Sequence, residues 1–258
     1  MNPLLKLSDF SVSYGKKEIV SGIDLELGEG EFCALLGLNG SGKTTLLRGI
    51  CGLLPHISGE CRILGENCIR LHEYQRARRM SFIPQVSSEV DGITVWEVVL
   101  MGCNPYLRLF ESPSDVQRKK AVRILEKLGL DQWKEKEFSI LSQGQKQLVI
   151  LARTLMQDTP VLLMDEPDSA LDFCNRHMVL GKIRDTVHRE KKAGLITLHD
   201  PNFAMNYCDR IVLLKDGRIC GEIQMGTADC EEIQSKLAAV YGEVEIVPQG
   251  NAWLMGKA

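Results

Sequence analysis

Eight consecutive residues, Gly37-Leu38-Asn39-Gly40-Ser41-Gly42-Lys43-Thr44, match the pattern G-x-x-x-x-G-K-[ST] in full. In such a loop successive backbone N–H groups and the positive end of the following helix surround the α- and β-phosphates of a nucleotide. Glycines remove the Cβ atoms that would block their approach. Lys43 then reaches the β- and γ-phosphate oxygens, and Thr44 is placed to ligate Mg2+. Far along the chain, Asp165 and Glu166 close the apolar run 161–164. Two adjacent carboxylates at a strand end can divide the labour, Asp165 holding Mg2+ through its water shell and Glu166 facing the attacking water. Taken singly, the first motif could be a glycine-rich turn with a chance lysine, and the second a Glu-Pro pair that merely ends a strand. Together they favour phosphoryl transfer, with kinases, GTPases and motors still open.

These residues need elements to hold them. Residues 32–36 form a nearly continuous apolar run before the loop, and 44–54 read as a helix, giving strand, loop, helix. Further apolar runs at 80–83, 161–164 and 195–198 look like strands buried on both faces, the habit of a parallel sheet covered by helices. In open parallel sheets ligands bind beyond the carboxyl ends of the strands. Ahead of them Leu7, Phe10, Val12 and Tyr14, then Ile23, Leu25 and Leu27, alternate around Gly15-Lys16-Lys17 and predict antiparallel strands. Within a helical insertion, Ser114 with Gln117 resembles a capping box, Val116, Val122, Leu125 and Leu128 mark one face, and Gly129 ends the helix. Residues 211–214, the turn Lys215-Asp216-Gly217 and residues 218–223 read as a hairpin. Beyond Pro248 the sequence carries no pattern. The expected fold is α/β, one domain, with residues 1–86 and 159–258 as the core and 87–158 as a helical subdomain.

The chain has 258 residues, 44% hydrophobic and 25% charged, close to globular averages. A net charge of -3 and a sequence pI near 6.0 provide no basic field for nucleic acid. The cluster Arg76, Arg78 and Arg79 reads as a solvated helix face. Nine cysteines, odd in number and never spaced C-x-x-C, suggest neither a zinc site nor a disulfide framework and fit a reducing cytoplasm. No apolar run approaches a membrane span, and the N-terminus lacks the core of a signal peptide. If a membrane is involved, another polypeptide provides it.

Leu141-Ser142-Gln143-Gly144-Gln145, just ahead of a helical run 146–156, resembles the signature of ATP-binding-cassette (ABC) ATPases, usually Leu-Ser-Gly-Gly-Gln. Tyr14, Gln85, Ser169-Ala170-Leu171-Asp172 and His199 follow the family's remaining motifs in order, so the resemblance covers nearly the whole chain. It implies an ABC-type P-loop NTPase with a mainly parallel core sheet, an N-terminal antiparallel β-layer and a helical subdomain, working with ATP and Mg2+. By that resemblance Tyr14 stacks on adenine, and Gly37, Asn39, Gly40, Ser41, Gly42, Lys43, Thr44 and Thr45 hold the phosphates. Thr44, Gln85 and Asp165 attend the metal, Gln85 and Glu166 the water, and His199 the γ-phosphate. Ser142, Gly144 and Gln145 close over the nucleotide of a second copy in an ATP-sandwich dimer. The family's other partners are two membrane permeases and, indirectly, a substrate-binding protein, which puts the chain on the cytoplasmic face of the cell membrane.

Two departures, Gln143 in the signature and Asp168 where Thr or Ser is commoner, are expected to tune turnover and not abolish it. The segments Thr94-Val95-Trp96-Glu97-Val98-Val99-Leu100-Met101-Gly102, Asn104-Pro105-Tyr106 and Leu198-His199-Asp200-Pro201-Asn202 look like those of ATPases serving importers of iron-siderophore, haem and vitamin B12 complexes. Ile93, Val95, Trp96, Val98 and Val99, near the loop after Gln85, either form a groove for a permease's coupling helix or belong to the core. A soluble ABC ATPase of ribosomes or chromosomes would need tandem cassettes or a long heptad insertion, which the sequence lacks. Against a nucleotide-dependent regulatory module without turnover stand intact Glu166 and His199.

Overall fold

The alternation in the first thirty residues produces β1 (Leu5–Tyr14) and β2 (Lys17–Leu27), paired antiparallel from Leu5 opposite Leu27 to Tyr14 opposite Lys17. This is a computed structural model describing residues 2–85, 91–169, 171–250 and 252–257. The chain continues through β3 (Phe32–Leu36), α1 (Lys43–Ile50), β4 (His56–Ile63), β5 (Glu66–Asn67), α2 (Glu73–Arg76) and β6 (Met80–Ile83). Strand β4 returns beside β1, so that four antiparallel strands lie in the order β2-β1-β4-β5. Helix α1 is shorter than the expected 44–54, because Cys51 caps it and Gly52, at φ 66°, turns the chain away.

A helix-rich stretch follows: α3 (Val95–Leu100), α4 (Asp115–Leu128) and α5 (Gln143–Gln157). Ser114 and Gln117 do form a capping box, and Gly129 closes α4 in the left-handed region. The buried face of α4 differs from the expected one. It carries Ala121, Ile124, Leu125 and Leu128, whereas Val116 is 78% exposed and Val122 36%. At about 100° per residue, Val116 sits roughly opposite Leu125 on the helix, so the two cannot share a stripe. Val95, Val98 and Val99 are core, with Ile93 and Trp96 packed partly buried against it. Core packing therefore takes most of the apolar residues considered for a docking groove, and residues 86–90 of the loop after Gln85 lie outside the described residues. The arginine cluster is not a simple solvated face either. Arg79 pairs with Glu66 at 2.7 Å, and Arg78 donates to the Pro105 carbonyl with its guanidinium over the Tyr106 ring.

The chain then runs β7 (Val161–Asp165), α6 (Phe173–Arg189), β8 (Ala193–Thr197), α7 (Pro201–Tyr207), β9 (Arg210–Lys215), β10 (Arg218–Gln224) and α8 (Cys230–Tyr241). A six-stranded sheet has the order β10-β9-β3-β8-β7-β6, parallel except for the edge strand β10. Its strands are apolar throughout because both faces are covered. Phe32, Ala34, Leu36, Leu162, Met164 and Ile196 enter the core beneath the helices. Cys33, Leu35, Val161, Leu163 and Leu195 enter a second core against the antiparallel sheet and α1.

The last segment, uninformative as sequence, is a hairpin of β11 (Val244–Gln249) and β12 (Ala252–Lys257). Side chains of α7 hold it: Asn206 accepts from the Trp253 N–H at 3.0 Å and donates to its carbonyl at 2.9 Å, and Asn202 accepts from the Met255 N–H at 2.7 Å. Among the described residues no helix is long and apolar enough to cross a membrane.

Candidate nucleotide site

Parallel strands deliver their carboxyl ends to one edge of the sheet, and each of four such ends carries a singled-out residue. The glycine-rich loop follows β3, Gln85 lies two residues past β6, Asp165 and Glu166 close β7, and His199 lies two residues past β8. They meet around a cleft of about 500 Å³, walled by Asn39, Gly40, Ser41, Gly42, Lys43, Thr44, Thr45, Gln85, Glu166, His199 and Ile19.

The loop's shape depends on glycine. Gly42, the N-cap of α1, has φ 104°, a conformation closed to residues with a side chain, and a Cβ on Gly37 would collide with the Leu214 carbonyl oxygen. The β9–β10 turn supports the loop from behind, the Gly217 N–H donating to the Ser41 carbonyl at 3.1 Å. Lys43 is 5% exposed, and its ammonium donates to the carbonyls of Gly37 at 2.8 Å and Leu38 at 3.3 Å. Burial pushes its pKa below the ordinary lysine value, while the carboxylates of Glu166 and Asp165 pull it back up.

Asp165 is fully buried. Its Oδ1 accepts from the hydroxyls of Thr44 at 3.0 Å and Thr197 at 2.9 Å, and its Oδ2 has no hydrogen-bond partner. A buried, unpartnered carboxylate oxygen beside a threonine hydroxyl is a hard oxygen donor set, which fits Mg2+. Glu166 is 6% exposed and stands at φ 46°, a left-handed conformation that a residue with a side chain holds only when its surroundings impose it. Thr197 supplies part of that constraint by accepting from the Glu166 N–H at 2.9 Å. Glu166 Oε2 accepts from the Gln85 amide and lies 2.8 Å from His199 Nε2, so the three residues assigned to the reaction meet at one oxygen.

Ser142, Gly144 and Gln145 lie away from this cleft and do not line it. Ser142 caps α5 by accepting from the Gln145 N–H at 3.3 Å, and Gln145 Oε1 accepts from the Ser142 N–H at 3.0 Å. A Cβ on Gly144 would stand 2.7 Å from Asn175 Cγ, so this glycine is also required by the packing of α5 on α6. Gln143 occupies an exposed position, which explains how the signature accommodates it. Asp168 is 4% exposed. Burial pushes its carboxyl above the ordinary value, and Arg176, with Nε 3.4 Å from Oδ2, opposes that rise.

The sequence profile of a known family, described as ABC transporter, matches residues 20–169, more than half of the chain. The chain belongs to the ABC transporter family. The cassette is 36% identical over 217 residues to the probable iron chelatin transport ATP-binding protein of Helicobacter pylori, a match covering 84% of this chain and 85% of that protein. It is 32% identical over 219 residues to the petrobactin import ATP-binding protein FpuD of Bacillus anthracis, covering 85% and 80%. Among solved structures, a dimeric bacterial ABC transporter cassette superposes with a TM-score of 0.73 at 27% identity, covering 86% of this chain and 98% of that one. The cassette is accordingly an ATP-binding chain and an ATPase.

One lining residue escaped sequence reasoning. Ile19 enters the cleft wall from β2, whose alternation marks it only as a strand residue. Tyr14 ends β1, 47% exposed and outside the wall of the cleft. The cassette's Asp172 caps α6, accepting from the Asn175 N–H at 2.8 Å, and Ala170 of the same motif lies outside the described residues.

Proposed function

We propose that this ATPase powers a metal-chelate importer, taking up iron-siderophore, haem or cobalamin complexes. The observation that carries the proposal is the 36% identity, over 84% of the chain, to an iron chelatin transport ATP-binding protein. The petrobactin relative supports the same cargo class.

In this reading Tyr14 stacks on adenine, the N–H groups of residues 37–45 embrace the phosphates, and Lys43 neutralises the β- and γ-oxygens. Thr44 and Asp165 would hold Mg2+ with Gln85 beside them, and the ion would supply charge neutralisation for the phosphates. Glu166, pinned by Gln85 and His199, orients the attacking water and receives its proton, while His199 contacts the γ-phosphate. A second copy, packed head to tail, brings the N-terminus of its α5, with Ser142, Gly144 and Gln145, over that phosphate. ATP then joins two protomers, and its cleavage removes the group both of them grasp, so the pair opens. Opening is transmitted to two membrane permeases at the cytoplasmic face, which receive cargo from a substrate-binding protein.

The test is deletion of the gene followed by uptake of labelled iron chelates, haem and cobalamin. Loss of one of the three is expected. Normal uptake of all three, in a cell without a redundant system, would transfer the cargo to another small-molecule class and leave the ATPase standing.

A further inference from the structure

Asp168 lies two residues beyond Glu166 and is buried, yet it carries a carboxylate. Its counter-ion, Arg176, sits in the first turn of α6, with Nε 3.4 Å from Asp168 Oδ2. The same guanidinium donates from Nη2 to the Leu171 carbonyl at 3.2 Å. Its flat face covers Phe203, with Cζ 5.2 Å from the ring centroid. Phe203 belongs to α7, the helix capped by Asp200, the residue that follows His199. One planar cation thus meets the turn after Glu166 through an ion pair and a hydrogen bond, and the helix after His199 through its face.

Net stability is a weak reason for this arrangement. A buried carboxylate and guanidinium together are often no more stabilising than neutral side chains of the same size. Glu166, by contrast, needs restraint on both sides of its left-handed backbone. Thr197 fixes its N–H. On the carbonyl side, the Ser169 N–H donates to the Glu166 carbonyl at 3.2 Å and the Leu171 N–H to the Asp168 carbonyl at 3.1 Å, a short turn that the Arg176 contacts hold in place. Arginine suits the role because its fork can reach two acceptors while its face stacks on an aromatic ring, which lysine cannot do.

We propose that Asp168 and Arg176 form a positioning pair, locking the Glu166 turn to the His199 helix so that Glu166 Oε2 stays in reach of both Gln85 and His199. The pair rests on the reading of Glu166 as the residue that orients the attacking water. It touches no reacting atom itself.

The purified chain is compared with Asp168→Asn, Arg176→Lys, the double variant Asp168→Asn/Arg176→Lys, and Glu166→Gln as a reference. Steady-state ATP hydrolysis is measured across a concentration series, with binding of a fluorescent ATP analogue and thermal unfolding alongside. Each single variant is expected to lower kcat about tenfold or more, as small misplacements of reacting groups do, while KM and analogue affinity stay within about twofold. The double variant should be no slower than the slower single one, because the two residues act as a unit. Should Asp168→Asn not fold, Arg176→Lys decides. A kcat within about twofold of the parent, with only the unfolding temperature lowered, would show the pair to be structural and overturn the proposal, as would losses that simply multiply. If Glu166→Gln itself hydrolyses ATP normally, the reading beneath the pair falls with it; if Glu166→Gln is inactive while the pair variants turn over normally, the pair alone falls.

Discussion

Lys43 is held on the Gly37 and Leu38 carbonyls, so its side chain has little freedom to lose to a phosphate. Lys43→Ala removes a desolvated cation from the phosphate cleft, and ATP affinity should fall about a hundredfold, roughly 2.7 kcal/mol. Isothermal titration checks this, and equal affinities would reject the assignment. Glu166→Gln preserves shape but loses the charge that polarises water, so turnover should drop by about two to four orders of magnitude with ATP affinity retained. Hydrolysis within about threefold of the parent would remove Glu166 from the reaction. These residues were legible because their types and spacing are local: a phosphate loop is contiguous, and an acidic pair after an apolar run announces a strand end. Asn175 beneath Gly144 and Arg176 beside Asp168 were not legible as partners, since nothing in the chain between them encodes the approach of α6.

At the scale of elements, α5 has two obligations, its cap and its close approach to α6. Gly144→Ala pushes a methyl group to within 2.7 Å of an Asn175 amide whose Nδ2 already donates to Asp172 at 2.8 Å. We expect about 1–3 kcal/mol lower stability, an unfolding temperature about 2–4 °C lower per kcal/mol, and unchanged ATP affinity in the single chain. A parental denaturation curve would show that Asn175 yields freely. Strands buried on both faces were readable as apolar runs, and α4 was readable from its cap and its Gly129 stop. Its buried face departs from the expected one because Val116 lies opposite Leu125 by angle, and Ala121 and Ile124 take the buried stripe. The β11–β12 hairpin escaped because a proline, Pro248, weakens the strand pattern of one segment, the other lacks alternation, and the asparagines of α7 that bind it lie some fifty residues upstream.

As a whole, the molecule keeps two parts of the proposed reaction site apart. The cleft gathers the phosphate loop, Glu166, Gln85 and His199, with Asp165 buried behind the Thr44 hydroxyl, while the capped N-terminus of α5 lies outside it. A helix N-terminus with Ser142 and Gln143 exposed suits an anion held by another molecule. Two copies related by a two-fold axis would each complete the other's site, an isologous pairing in which the nucleotide is part of the interface. The most direct test is the mass of the Glu166→Gln chain in solution, measured by light scattering with saturating Mg2+-ATP. Twice the mass of a single chain is predicted, falling back to one when Lys43→Ala is added to the same chain. A Glu166→Gln chain that binds ATP yet keeps the mass of a monomer at every concentration would contradict the account.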